Sequence, residues 1–155
     1  MSYPTEIDAA IIYSVAGTGS SKTRTILCGI ENVTINETAN TNDRFRTECD
    51  KPGQIPTRSV RTTGIQWDVT GSGVSNADQL VAMKALLGKH QAYEIDAIRY
   101  DGTDAGDKLG TFDGTGVMTA KNLSLQRSGD SGLEITIAGE GVLGYTPDTT
   151  PGATA

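Results

Sequence analysis

The sequence predicts a mainly β domain, a small antiparallel β-barrel or sandwich with one flanking α-helix. Three observations carry this. Nineteen glycines and a wealth of threonine disfavour a helical bundle, because threonine suits a pleated surface and glycine the turns between short strands. Several short runs alternate apolar and polar residues with period two. Helical spacing occurs in one place only, at about residues 76–87. The 155 residues fit one domain. We expect that domain over residues 1–145, followed by a flexible tail at 146–155 that lacks an apolar anchor.

The elements follow in order. Residues 6–15 read as a strand with Ile7, Ala9, Ile11, Tyr13 and Val15 toward a core. Residues 16–21 form a loop, 23–28 a short strand and 30–37 the next, where Val33 and Ile35 share a face. A long polar loop is expected at about residues 38–59, since the segment holds two prolines and shows no clear period. Its mixed charge around one aromatic, Arg44, Phe45 and Arg46 and then Glu48, Asp50 and Lys51, suits a partner surface. Residues 60–69 return to strand, with Ile65, Trp67 and Val69 on one face. In the helix, Ser75 is the expected N-cap, Leu80, Met83 and Leu87 recur on one side, and Gly88 stands where a C′ glycine belongs. Tyr93, Ile95 and Ala97 alternate with Glu94 and Asp96 in the next strand. Residues 117–125 form another, and Leu133, Ile135 and Ile137 give the cleanest alternation of all.

The composition excludes several functions. The net charge of −6 opposes nucleic-acid binding through a cationic footprint. No apolar run approaches the ~20 residues of a membrane span. The N-terminus shows no secretory leader, so Cys28 and Cys49 are expected as free thiols in a reducing compartment. The glycine-rich stretch before Lys22 departs from a phosphate loop: Ser21 precedes the lysine and a strand, not a helix, follows. Asp101, Asp104 and Asp107 do not have calcium-loop spacing. A lone His90 offers no zinc site. No catalytic residue, cofactor or metal is expected. Trp67 and Tyr93 could form the stacking platform of a carbohydrate-binding sandwich, but their apolar neighbours place both in the core.

The order of the segments is similar to a known family. LCGIENVTIN at 27–36 is followed by the long loop, RTTGIQWDVTGSG at 61–73, the helix, a strand, and GDSGLEITIAGEGVLG at 129–144. This layout resembles the major tail tube proteins of long-tailed bacteriophages and of related contractile or gene-transfer particles. The resemblance implies a structural virion protein, made in the host bacterial cytoplasm, whose hexameric rings stack into a hollow tube. Implied partners are further copies of itself and other tail proteins, namely the tape measure, the terminator and the distal tail. DNA would pass through the lumen without specific binding, and no membrane is involved. The long loop would make ring-to-ring contacts through Arg44, Phe45, Arg46, Glu48, Asp50 and Lys51. Lumen acids would come from polar strand faces, with Asp68, Glu94, Asp96 and Glu134 as candidates. Six copies would sum to about −36 per ring, a wall that repels phosphate. The alternatives are a monomeric carbohydrate-binding module and a tail terminator or connector.

Overall fold

A computed structural model of the chain describes residues 4–17 and 19–148. The elements are β1 (Ala9–Ala16), β2 (Thr23–Ile26), β3 (Ile30–Arg46), β4 (Thr57–Val74), α1 (Leu80–Leu86), β5 (His90–Arg99), β6 (Asp107–Ser124) and β7 (Gly132–Pro147). The seven strands make one antiparallel sheet in the order β2-β1-β5-β6-β7-β4-β3. It curls until β3 lies against β1, yet no hydrogen bonds join these two strands. The expected barrel or sandwich is therefore an open, curled sheet.

The inner face of the curl holds the core. Ile12, Trp67, Val69, Met118, Leu133, Ile135 and Ile137 are buried there, joined by Tyr93 and Ile95. Val33 and Ile35 pack against them from β3, and Met83 and Leu86 of α1 belong to the same buried cluster. Each large side chain removed from water in this way contributes ~1.5–3 kcal/mol. Two glycines permit the close approach of strands that the core needs. A Cβ on Gly71 would meet Ile30, Ile135 and Ile12 at 2.9, 3.2 and 3.4 Å. A Cβ on Gly139 would stand 2.1 Å from the Trp67 indole, so the indole lies directly on the β7 backbone.

Four expectations are corrected. The long loop at 38–59 is mostly strand: β3 continues to Arg46, β4 begins at Thr57, and only ten residues join them. Both faces of this ribbon meet solvent, so no burial pattern marks it as a strand. In β1 the inward residues are Ala10 and Ile12, while Ile11 and Tyr13 belong to the opposite face. Apolar residues on both faces of β1 had left its orientation open to misreading. The helix expected at 76–87 is shorter: a 3-10 turn, Ala77–Gln79, precedes α1, and Asn76, not Ser75, caps it by accepting from the Asp78 N–H at 3.1 Å. Gly88 takes the left-handed conformation expected of it (φ +77°). Finally, Thr146 and Pro147 pair with Thr111 and Gly110, so the ordered body passes the boundary expected at 145. Residues 149–155 of the expected tail lie outside the described residues.

Candidate functional site

Among the described residues, charged side chains line open clefts on the surface. The distinctive features are unfinished edges, a protruding ribbon and two acidic regions of the outer sheet face. At the sheet margins, β2 and β3 each leave one edge without a strand partner among the described residues. All four residues of β2 are exposed, as are most of β3. Such rows of unpaired N–H and C=O groups are templates for another chain.

The ribbon forms because β4 is paired to β7 over only part of its length. That pairing runs from Val74↔Gly132 to Asp68↔Ala138 and stops. Beyond it β3 and β4 continue alone, paired from Ala39↔Ile65 to Arg46↔Thr57. We call this two-stranded projection the arm. Ile65, Val60 and Phe45 carry the inward face of the sheet out along it, uncovered by any described residue: they are 66%, 50% and 72% exposed. Asp43 and Arg58 pair on that face at 3.2 Å. The turn at the tip is held by the Lys51 N–H donating to the Glu48 carbonyl and by a Lys51–Glu48 ion pair, both at 3.0 Å. Asp50 lies in the same turn and Cys49 is a free, exposed thiol. The structure thus gathers the predicted contact residues 44–51 on one projection, with Arg44, Phe45 and Arg46 on its strand and Glu48, Asp50 and Lys51 at its tip.

The four predicted lumen acids fall into two groups. Glu94 and Asp96 lie on the outer face of β5, where they are 9% and 3% exposed. Arg24 reaches across β1 from β2 and binds both, with Nε 2.6 Å from Glu94 Oε2 and Nη2 2.9 Å from Asp96 Oδ1. Lys22 also pairs with Glu94, and Thr111 Oγ1 donates to Asp96 at 2.8 Å. The Arg24 guanidinium stacks 3.9 Å over the Tyr13 ring. Burial pulls the Arg24 pKa down, but the hydrogen bond to Asp96 and the charges of Asp96 and Glu94 outweigh this and hold it above its usual range. Sequence reading missed this network, although Arg24 in β2 and Lys22 just before that strand, two residues apart, could have suggested a basic stripe. Asp68 and Glu134 lie on the outer face of β4 and β7, with Glu134 exposed and Asp68 half-buried. Neither is ion-paired within the described residues.

Other candidate chemistry dissolves on inspection. Lys22 turns to Glu94, and the loop before it leads into β2. Asp107 is bound to Arg99 at 2.5 Å. Asp101 accepts from the Thr103 hydroxyl and N–H, which hold its carboxyl below the usual range. Among the described residues no group of His, Cys, Asp or Glu could hold a metal ion. Trp67 and Tyr93 are 2% and 3% exposed, so neither offers a ring to a sugar. No helix among the described residues is long and apolar enough to cross a membrane.

No protein-family model matches the chain, and no curated protein does. Solved structures do. A chain in the tail of an empty gene transfer agent particle, refined with C6 symmetry, aligns with TM-score 0.58 at 18% identity, covering 87% of this chain and 95% of that one. A chain of the PVC sheath–tube complex, an extracellular contractile injection system in its extended state, aligns at 0.62 with 11% identity and covers 94% and 93%. The SPP1 tail tube aligns at 0.57 with 9% identity, covering 95% and 81%. The chain therefore has the fold found in the tails and tubes of these particles.

Proposed function

We propose that this chain is the repeating subunit of a tail tube, assembling into rings that stack to form a conduit for genome delivery. The observation that carries the reading is the arm, whose inward stripe of Ile65, Val60 and Phe45, interrupted by the Asp43–Arg58 pair, leaves the body uncovered. A lone subunit leaves this stripe and two sheet edges in water, and copies of the same chain remove all three exposures at once. The likeness in fold to tail and tube chains supports the same conclusion, and the C6 symmetry of one such tail suits a six-membered ring.

In this role the chain is structural and performs no catalysis. It resides in the virion tail after synthesis in the host bacterial cytoplasm, and it meets the tape measure, terminator and distal tail proteins at the ends of the tube. DNA passes without specific contact. Asp68, partway along the outer face and not ion-paired among the described residues, is the acid best suited to face a channel. Glu94 and Asp96 are already neutralised by Arg24 and Lys22. The arm makes the ring-to-ring contact, with Phe45 as its apolar anchor.

Electron microscopy of the purified full chain in negative stain tests the proposal. Stacked rings with a central hole are expected. Compact monomers persisting at high concentration would contradict it, and isolated rings that never extend would indicate a terminator or connector instead.

A further inference from the structure

We propose that the arginine face of the arm seats on an acidic cleft at the far end of a second copy, so that subunits add head to tail through complementary charge. This rests on the tube reading above and names the contact that sets its polarity. From Asn32 to Arg46, β3 has no inserted residue, so its even-numbered positions stay on one face. Arg44 and Arg46 lie on that face near the tip, and Arg61 joins them from β4 opposite Asn42. The three guanidinia line one open cleft of about 470 Å³. None is ion-paired among the described residues, because Asp43 is held by Arg58 on the reverse face and Glu48 by Lys51.

The same sheet face ends in the opposite charge. Asn32, Ser72 and Glu134 stand side by side on β3, β4 and β7. Glu31, at the bulge that begins β3, joins Glu134 in lining a second cleft of about 490 Å³. Neither glutamate is ion-paired among the described residues. From Arg61 to Ser72 along β4 is roughly 35 Å at ~3.3 Å per residue. That is several times the ~8 Å over which salt lets exposed charges act, so the two clusters cannot neutralise each other within one subunit. Residues 42–61 hold five Lys and Arg against three Asp and Glu, net +2, while the rest of the chain carries −8. A copy added head to tail brings the arginine end of one subunit to the glutamate end of the next. The guanidinium fork fits a carboxylate in two-point contact. Because donor and receptor are different surfaces, the contact is heterologous, and stacked along the tube axis, where its rotation does not close, it repeats indefinitely, as a growing tube requires.

Charge reversal of the full chain tests this, read by negative stain and sedimentation. Wild-type protein should form tubes whose critical concentration rises about tenfold between roughly 50 and 500 mM salt. R44E/R46E/R61E and E31K/E134K should each fold, by circular dichroism, yet assemble at least about tenfold less readily. The five-fold swap R44E/R46E/R61E/E31K/E134K should recover tubes with its own copies. If a variant misfolds, the salt titration of the wild type decides. Normal tubes from both reversed variants, assembly indifferent to salt, or a folded swap that stays unassembled would overturn the pairing. So would retention of a short DNA duplex by the arginines with tube length unchanged on reversal, which would assign that face to a polyanion. A wild-type chain that forms no tube at all would instead remove the tube reading.

Discussion

At the residue scale, the fold depends on a few positions where size or polarity admits one answer. Gly139 is the clearest, because the Trp67 indole occupies the space a side chain would need. Gly139→Ala should lower stability by ~1–3 kcal/mol through overpacking, read as a drop in melting temperature, while Gly53→Ala, with nothing within 4 Å, should leave it unchanged. Tyr93 makes a second prediction. Its hydroxyl is buried without a hydrogen-bond partner among the described residues, and burial pushes its pKa up to about 12 from the usual 10.0. The folded protein thus holds this proton more tightly than the unfolded chain does. The resulting stability is intact below pH 10 and is lost as pH rises toward 12. Tyr93→Phe should remove that alkaline loss and leave stability at neutral pH equal or slightly higher, since no hydrogen bond is given up; denaturant unfolding at pH 7 and pH 11 measures both. The burial of Trp67, Tyr93 and Ile95 was legible in the sequence because alternation places each among apolar neighbours. The Arg24 network was not, since Arg24 crosses from β2 over β1 to acids more than seventy residues away in the chain.

At the element scale, a strand is readable only where one of its faces is buried. The closing strand β7 shows its alternation because Leu133, Ile135 and Ile137 enter the core while Glu134 does not. The outer half of β3 has solvent on both sides, so its pattern vanishes and residues 38–46 read as loop. The mixed charge around Phe45 lies on a projecting ribbon rather than on the expected coil. If the arm is the contact between rings, Phe45→Ala combined with Arg44→Ala should leave the subunit folded, with an unchanged circular dichroism spectrum, but polymerising poorly. Tubes of normal length from this double variant would show that the contact lies elsewhere. The substitutions should barely alter the stability of the lone subunit, because both side chains are exposed there.

At the scale of the whole molecule, the sheet is incomplete. Its order leaves β2 and β3 at the margins, its curl brings β3 against β1 without closing, and its arm extends past the last contact with β7. The sequence pattern disclosed the β class, the single helix and most of the core, but it could not disclose closure. Whether the terminal strands of a sheet pair with each other is decided by twist and curl accumulated over all seven, not by any one segment. In the proposed tube these margins are completed by other copies of the chain. Amide hydrogen exchange at Thr23–Ile26 and along the outer edge of β3, compared between dissociated subunits and the assembled form, tests this completion most directly. Exchange should be fast at both edges in the lone subunit and slow at least about a hundredfold on assembly, with Ile135 of β7 protected in both states. Edges already protected in the lone subunit, or still open in the assembly, would contradict it.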